Sequence, residues 1–262
     1  MALSGKVAVV TGSTSGIGRG IAQSLASKGC SIVLTGIATD QEVKDLLDEF
    51  RSQYSGTFHF IPGNLLETGS TEKFSQDVLT IYSNGIDILI NNAGLPGRGP
   101  IETLSNEVWQ QTLAVNLTAP FILTRAFFPL MKKKGWGRIV NMSSQMGLIA
   151  DPEKSAYCAS KAGLIGFSRV IALEGAQYGI TCNAVCPGYA DAPLGHSLIA
   201  KDAAQRGITF EQSKAEFAQQ RIPTGHLVKI SEIAELVAFL CLDSAASISG
   251  TPIPIDGANM AR

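Results

Sequence analysis

The sequence has little charge and few aromatic residues, and these shortages limit the kind of protein it can be. Only 16% of the 262 residues are charged and 7% are aromatic, whereas 45% are hydrophobic. This composition excludes a disordered chain, a coiled coil and a collagen-like chain. Its 21 Lys and Arg residues stand against 22 Asp and Glu, so there is no broad basic surface for nucleic acid or an acidic membrane. The composition predicts a globular protein with a small-molecule partner.

Cysteine is also scarce, and its spacing disfavours two common kinds of site. The five cysteines form no CxxC pair, and an odd number without such a pair fits neither a zinc site nor a disulfide framework. The three histidines are not at metal-ligand spacing, so we predict no metal site. There is no signal peptide pattern and no apolar run of about 18 residues. We therefore expect a soluble, cytoplasmic protein.

Short β-branched runs alternate with longer segments of helical periodicity along the chain. This alternation predicts an α/β protein with a parallel, doubly wound sheet and helices on both faces. The seven predicted strands are residues 6–11, 31–35, 58–62, 86–91, 138–142, 180–185 and 251–255. The predicted helices are one that ends at Gly29 and those at residues 40–54, 71–83, 119–134, 155–178, 211–220 and 231–242.

The segment at about residues 188–225 interrupts this alternation. It contains Pro193 and Pro223 and a polar stretch at residues 201–206. A connection of this length within a compact domain is usually a functional lid or a disordered insert. We predict a substrate lid here and, because no linker or internal repeat is visible, a single domain over residues 1–262.

A glycine-rich turn lies between the first predicted strand and the first predicted helix. It consists of Gly12, Ser13, Thr14, Ser15, Gly16, Ile17 and Gly18. Its glycines allow the backbone to approach a pyrophosphate, whose charge is favoured by the free N–H groups and dipole of a helix N-terminus. A turn that binds nothing is the alternative, but the strand before it and the helix after it favour a dinucleotide site on a Rossmann fold.

Three polar residues in the second half of the chain suggest acid–base chemistry. Tyr157 and Lys161 are four residues apart on a predicted helix and share a face. We expect the ammonium to lower the pKa of the phenol from about 10 towards the working pH, which suits a general acid or base. Ser144 can donate a hydrogen bond to a substrate oxygen on which charge develops. Each residue alone also fits a purely structural role, whereas together they predict an enzyme.

These motifs resemble those of the short-chain dehydrogenase/reductase family, from residue 5 to the C-terminus. The matching features are the GxxxGxG spacing at residues 12–18, Asn-Asn-Ala-Gly at 91–94, Ser144, the YxxxK pair and Pro-Gly at 187–188. The resemblance implies oxidoreduction of an alcohol or ketone with a nicotinamide cofactor. It implies catalytic roles for Ser144, Tyr157 and Lys161, and for Asn116 as the anchor of a proton-relay water. It also implies a homotetramer formed through the two long central helices.

The sequence after the second predicted strand favours one nicotinamide cofactor. Gly36 begins a stretch with no acidic residue for a ribose 2′-hydroxyl and no arginine for a 2′-phosphate. The lack of a cation favours NAD over NADP. The full set of predicted cofactor contacts is Gly12, Ser13, Thr14, Ser15, Gly16, Ile17, Gly18, Gly36, Asn64, Leu65, Asn92, Ala93, Gly94, Tyr157, Lys161, Pro187 and Gly188.

Within this family the chain is most similar to the bacterial D-3-hydroxybutyrate dehydrogenases, notably at residues 135–141, 154–157 and 179–188. This similarity implies NAD as cofactor and Lys154 as the ligand of the substrate carboxylate, although an exposed loop lysine is the alternative. Pro96, Met146, Tyr189 and Asn259 differ from that group's pocket residues. The predicted substrate contacts are Ser144, Met146, Lys154, Tyr157 and Tyr189.

The sequence leaves three functional hypotheses. The first is interconversion of (R)-3-hydroxybutyrate and acetoacetate. The second is an enzyme for another ketone, such as a 3-oxoacyl thioester, a polyol or a cyclic ketone. The residues that differ predict a roomier and more apolar pocket than that of the D-3-hydroxybutyrate dehydrogenases. The third is a cofactor-binding scaffold without turnover, which the presence of both Tyr157 and Lys161 disfavours.

Overall fold

The computed structural model describes residues 1–261, in which strands and helices alternate. The strands are β1 (Val7–Val10), β2 (Ser31–Leu34), β3 (Phe58–Phe60), β4 (Ile88–Asn91), β5 (Gly137–Met142), β6 (Ile180–Pro187) and β7 (Pro252–Ile255). The α-helices are α1 (Gly16–Ser27), α2 (Asp40–Gln53), α3 (Thr68–Ile81), α4 (Asn106–Leu113), α5 (Ala119–Lys134), α6 (Ser155–Gly175), α7 (Pro193–Arg206), α8 (Phe210–Arg221) and α9 (Ile230–Leu240).

The seven strands form one parallel sheet in the order β3-β2-β1-β4-β5-β6-β7. The predicted seven-stranded parallel sheet is confirmed. After β3 the chain crosses to the other side of β1, so the order reverses between β1 and β4. Ligands of open parallel sheets bind outside the carboxyl ends of the strands at such a reversal. The topology therefore predicts a ligand site at the loops after β1 and β4.

Each face of the sheet is covered by its own helices. Successive side chains of β1 alternate between the faces: Val10 packs with Ile21 and Leu25 of α1, while Val9 packs with Phe74 of α3 and Phe127 of α5. All six side chains are fully buried or nearly so. This two-sided burial explains why the strands are continuous apolar runs without the alternation of a half-exposed strand.

The helix predicted at residues 119–134 is the second half of a longer one. Helix α4 and a five-residue π-helical turn, Ala114–Thr118, lead directly into α5. The prediction missed α4 because it is mostly polar and short, although Ser105 caps it by accepting a hydrogen bond from the Val108 N–H. The combined helix, Asn106–Lys134, is long and apolar enough to cross a membrane. It packs against α3 and α6, and core helices commonly share that composition.

The segment at residues 188–225 holds two helices, whereas only residues 211–220 were expected to be helical. Helix α7 has Pro193 in its first turn and ends at Gly207 in the left-handed conformation (φ 66°). It was missed because its polar residues 201–206 suggested a loop. Helices α7 and α8 pack on a small core of their own, formed by Ile199, Ala218, Ile222 and Leu227. The segment is therefore a helical layer over the sheet edge.

Candidate active site

A large cavity lies at the carboxyl ends of the strands. Its volume is about 1200 Å³, above the usual 300–1,000 Å³ of a small-molecule pocket. It extends from the glycine-rich turn after β1 to helices α7 and α8. All the predicted cofactor residues line it except Ser13, and so do the predicted catalytic residues except Asn116. The predicted substrate residues Met146, Lys154 and Tyr189 line it as well.

The glycine-rich turn forms a close-fitting cradle. Gly12 has φ +62°, and a Cβ atom at Gly18 would lie 2.1 Å from the Gly12 carbonyl oxygen. Helix α1 begins within this segment, at Gly16, with no acidic residue in its first turn and no side-chain cap from Ser15. The first N–H groups of α1 therefore face the cavity without a side-chain acceptor. This cradle fits the pyrophosphate of a dinucleotide.

Ser13 supports this turn from behind. Its side chain is fully buried, and its Oγ accepts a hydrogen bond from the Thr35 N–H at 2.9 Å. Its own N–H donates to the Thr35 carbonyl oxygen at 2.9 Å. The prediction that Ser13 contacts the cofactor is not supported by the cavity lining, because both polar groups are used to join the turn to the end of β2.

The Asn-Asn-Ala-Gly turn after β4 is fastened to the end of β1. Asn92 donates from Nδ2 to the carbonyl oxygens of Thr11 at 2.9 Å and Gly12 at 3.1 Å. Thr11 Oγ1 in turn accepts from the N–H groups of Asn92 and Ala93. These bonds hold together the two loops at the point where the strand order reverses.

Ser144, Tyr157 and Lys161 meet beside the ends of β5 and β6. Ser144 follows β5, where its Oγ accepts a hydrogen bond from the Met146 N–H at 3.1 Å, and it is close enough to Tyr157 at the start of α6 to lower the pKa of that phenol. One helical turn later, Lys161 donates from Nζ to the Met142 carbonyl oxygen at 2.7 Å, with Nζ 5.6 Å from the Tyr157 ring centre. The serine and lysine are buried, and the tyrosine is half-buried. The structure thus brings these three predicted catalytic side chains together in one cavity.

The electrostatics of this group differ from the expectation. Burial lowers the pKa of Lys161 to about 8, because removal from water disfavours the ammonium. Burial also raises the pKa of Tyr157, and the hydrogen bond from Ser144 offsets this only in part. The expected lowering of the Tyr157 pKa by Lys161 is not observed, since the ammonium is directed at the Met142 carbonyl group and is itself poorly solvated.

Asn116 lies within the π-helical turn and does not line the cavity. Its Oδ1 accepts from the Leu95 N–H at 2.7 Å, and its Nδ2 donates to the Leu95 carbonyl oxygen and to Ser160 Oγ, both at 3.0 Å. The side chain is thus fully used in joining the long helix to the loop after β4. This arrangement assigns the Asn116 side chain a positioning role.

The chain belongs to the short-chain dehydrogenase family. The family model described as short chain dehydrogenase matches residues 6–203. The chain is 42% identical to D-beta-hydroxybutyrate dehydrogenase of Rhizobium meliloti (strain 1021), covering 96% of this chain and 97% of that protein. It is 36% identical to a 3-oxoacyl-[acyl-carrier-protein] reductase of Aquifex aeolicus, covering 97% of each. The solved L-sorbose reductase from Gluconobacter frateurii, complexed with NADPH and L-sorbose, has a TM-score of 0.93 at 26% identity, covering 98% of this chain and 97% of that one.

In this short-chain dehydrogenase, Lys154 lines the same cavity as Ser144, Tyr157 and Lys161. Lys154 is 8% exposed, so it is not a solvated loop lysine. Its Nζ lies 2.6 Å from Asp151 Oδ2 and 3.6 Å from Met146 Sδ. Tyr189, which also lines the cavity, packs edge-to-face on Phe217 of α8. Asn259, which was expected near the pocket, donates from Nδ2 to Gln145 Oε1 at 3.0 Å and does not itself line the cavity.

Two further cations line the cavity of this short-chain dehydrogenase and were not found from the sequence. Arg98 follows the Asn-Asn-Ala-Gly turn, and Lys201 lies on α7. With Lys154 and Lys161 they make four cationic side chains, and no acidic residue stands among the described lining residues. The sequence offered no periodic signal for either residue. Among residues 1–261, no group of three or more His, Cys, Asp or Glu side chains is placed to hold a metal ion.

Proposed function

We propose that this chain is an NAD(H)-dependent dehydrogenase that interconverts (R)-3-hydroxybutyrate and acetoacetate. The observation that carries this proposal is the buried Lys154 ammonium in the same cavity as Ser144, Tyr157 and Lys161. A short hydroxy acid needs a fixed cation for its carboxylate and an acid–base group for its hydroxyl. The similarity to D-beta-hydroxybutyrate dehydrogenase of Rhizobium meliloti, over nearly the whole chain, supports the same substrate.

The proposed role of each residue follows from its contacts in the cavity. The nicotinamide cofactor, when bound, supplies the hydride acceptor or donor. Ser144 donates a hydrogen bond to the C3 oxygen of the substrate and holds it beside the Tyr157 hydroxyl. Tyr157 takes the proton from the C3 hydroxyl during oxidation and returns it during reduction. Lys161, whose Nζ lies 5.6 Å from the Tyr157 ring centre, is a cation beside the phenolate that this transfer creates, and Lys154 contributes to binding the carboxylate.

The surroundings of β2 support NAD as the cofactor. Gly36 and Ile37 line the cavity after this strand, and Ile37 is 97% exposed. The nearest arginine of α1, Arg19, is paired with Glu49 of α2. A 2′-phosphate would need an available cation here, and the lining residues directly after β2, Thr35, Gly36 and Ile37, are uncharged. We therefore propose that NADP binds more weakly than NAD.

A larger ketone is the second candidate substrate. The cavity volume of about 1200 Å³ and the apolar Pro96 and Met146 near the predicted substrate site favour it. The similarity to a 3-oxoacyl-[acyl-carrier-protein] reductase of Aquifex aeolicus makes a 3-oxoacyl thioester the first alternative to test. A polyol or cyclic ketone is the next.

Initial rates of NADH formation test these candidates directly. Absorbance at 340 nm is followed with (R)- and (S)-3-hydroxybutyrate, with NAD and NADP in separate assays, and in reverse with acetoacetate and a 3-oxoacyl thioester. We expect turnover of the (R) acid with NAD and little with the (S) acid or NADP. Faster reduction of the thioester than of acetoacetate would contradict the proposed substrate and support the second candidate.

We also propose that the protein acts as a cytoplasmic homotetramer. The outer faces of α5 and α6 expose large apolar side chains, among them Phe121, Val170 and Leu173, the last 80% exposed. Exposed apolar clusters of this kind mark interfaces. Light scattering tests the assembly, with an expected mass about four times the 27.6 kDa of the chain. A monomer mass would contradict the proposal.

A further inference from the structure

We infer that Arg98 is the principal ligand of the substrate carboxylate and thereby sets a preference for ionised over uncharged ketones. This inference rests on the proposed function, in which the substrate is a short hydroxy acid or oxo acid. It assigns the specificity to a residue in the loop after β4, which carries the Asn-Asn-Ala-Gly turn, and gives Lys154 a supporting role.

The charge of the Arg98 side chain has no partner among the described residues. The side chain is exposed at the cavity wall, and within residues 1–261 it has no hydrogen bond or ion pair. A guanidinium offers a planar pair of donors that matches a carboxylate in bidentate fashion. An available guanidinium at a cavity whose described lining contains no acidic residue is suited to bind an anion.

The backbone on either side of Arg98 is fixed. Gly97 is buried with φ +45°, and a Cβ atom there would lie 2.4 Å from Thr112 Oγ1 of α4. On the other side, the Gly99 N–H donates to the Glu153 carbonyl oxygen at 2.9 Å. Glu153 has φ +63°, a conformation that costs energy for a residue with a side chain. This bond attaches the Arg98 loop to the residue that precedes Lys154, so both cations belong to the same wall.

Lys154 by itself is poorly suited to hold the carboxylate. Its ammonium is already 2.6 Å from the Asp151 carboxylate, and that pair has no net charge. A substrate anion placed there would meet repulsion from Asp151 along with attraction from Lys154. With Arg98 added, the three groups carry a net charge of +1, which the substrate carboxylate neutralises.

Lys201 is the competing cation. It is also exposed, and the described residues give it no hydrogen bond or ion pair. It lies on α7, however, and the backbone link through Gly99 joins the wall that carries Lys154 only to Arg98. We expect Lys201 to contribute less to the bound state, and the Lys201→Met variant tests this ranking.

The experiment measures equilibrium binding without turnover. Acetoacetate is titrated by calorimetry into the full-length protein saturated with NAD, a combination of two oxidised partners that does not react. Its uncharged methyl ester is titrated in parallel. The variants are Arg98→Met, Arg98→Lys, Lys154→Met and Lys201→Met. Arg51→Met is the matched control, since Arg51 is exposed on α2 and outside the cavity.

We expect Arg98→Met to weaken acetoacetate binding about 10- to 100-fold, with little change for the ester or for NAD. Arg98→Lys should restore part of the loss, Lys201→Met should cost less than Arg98→Met, and Arg51→Met should behave as wild type. Equal weakening of acid and ester, no change in either, or a larger loss in Lys154→Met or Lys201→Met would overturn the inference. Loss of NAD binding would instead assign Arg98 to the cofactor and also overturn it.

Failure of the proposed function gives a different result. In that case wild type binds neither acetoacetate nor its ester but reduces another ketone. The same comparison is then made with an acid and ester of that ketone. A preference for the acid that Arg98→Met removes supports the role of Arg98 with a different substrate. The absence of such a preference overturns it.

Discussion

The amino ends of the strands form one edge of the central sheet, here the amino edge, and their carboxyl ends form the carboxyl edge. Both edges carry charged side chains, but these side chains are paired differently. At the amino edge, Asp87 precedes β4 and accepts hydrogen bonds from the Val7 N–H at 2.9 Å and from Lys134 Nζ at 3.0 Å. Arg138, at the amino end of β5, is 2% exposed and pairs with Asp243 at 3.1 Å. Every one of these charges has an opposite charge or a polar partner beside it.

At the carboxyl edge the charged side chains that line the cavity are all cationic and incompletely paired. The cavity there is lined by Arg98, Lys154, Lys161 and Lys201, and its described lining contains no carboxylate. Burial lowers the pKa of Lys161 to about 8, the cost of holding a cation where water is scarce. The charges at the amino edge are paired, whereas Arg98 and Lys201 at the carboxyl edge have no hydrogen bond or ion pair among the described residues.

The largest effect is expected from Tyr157→Phe at the carboxyl edge. Removal of the hydroxyl deletes the proposed proton donor and acceptor while keeping the ring, so kcat should fall about 10²- to 10⁴-fold. NADH binding, followed by fluorescence, should change little. Tyr178→Phe, in the 3-10 turn after α6 (Ala176–Tyr178), is the matched control. Activity within tenfold of wild type in Tyr157→Phe would remove this residue from the chemistry.

The second effect concerns the buried cation, Lys161. Its pKa falls from an ordinary 10.5 to about 8, so between these values the unfolded chain binds more protons than the folded one. Wild-type stability therefore rises with pH in this window. At pH 7, Lys161→Met should be inactive but more stable than wild type by about 1 to 3 kcal/mol, and this advantage should shrink by pH 10.

Denaturant unfolding at pH 7 and pH 10 measures the Lys161 effect. Lys73→Met is the control, since Lys73 is 72% exposed on α3 and its substitution should give a difference that does not depend on pH in this way. A Lys161→Met protein that is less stable than wild type at both pH values would mean that the hydrogen bond to Met142 outweighs the cost of burial.

Asp87→Ala tests the amino edge. It leaves the Val7 N–H without its acceptor and Lys134 without its carboxylate, and Asp87 is 7% exposed. The free energy of unfolding should fall by about 1 to 3 kcal/mol, with kcat/KM within about twofold of wild type. Asp77→Ala removes an exposed ion pair with Lys73 on α3. It should lower the free energy of unfolding by about 0.5 kcal/mol or less. A large loss of activity in folded Asp87→Ala would contradict the division between the edges.

The contrast between the edges also explains what the sequence could predict. Strands and the glycine-rich turn follow from local patterns, since buried parallel strands are continuous apolar runs and a turn against a phosphate requires glycine. Tyr157 and Lys161 were found because helical spacing fixes their common face. It was harder to assign roles to residues whose position depends on distant chain segments. Ser13 was assigned to the cofactor, but its side chain turns towards Thr35 of the neighbouring strand.

Arg98 shows the same limit more clearly. It lies in a loop without periodicity, and its position depends on a hydrogen bond between Gly99 and Glu153, residues 54 apart in the chain. The lowering of the Lys161 pKa was likewise not predictable, because burial depends on the whole cavity. Helix α7 was missed because its polar face is matched to α8, a tertiary partner that a local pattern does not reveal.

The smallest effect is expected at Asp191, between β6 and α7. Its Oδ1 lies 2.6 Å from His196 Nε2, and its Oδ2 accepts from Lys214 Nζ at 2.8 Å, so it joins α7 and α8 to the end of β6. Burial raises the pKa of Asp191, but the hydrogen bonds and charges of Lys214 and His196 outweigh this and lower it. The carboxylate is therefore ionised throughout the neutral range, and its pairing is lost only as the pH falls through that lowered value.

Asp191→Asn removes this charge and should cost less than about 1 kcal/mol, because the groups are partly exposed. We expect faster hydrogen exchange in α7 and α8 and a two- to fivefold rise in KM, with exchange of the strands unchanged. Asp87→Ala should give the converse pattern, with faster exchange at the amino edge and α7 and α8 unaffected. If exchange in α7 and α8 stays at the wild-type rate in Asp191→Asn, the small core around Ile199 alone holds the helical layer over the cavity, and the charges at this edge serve only ligands.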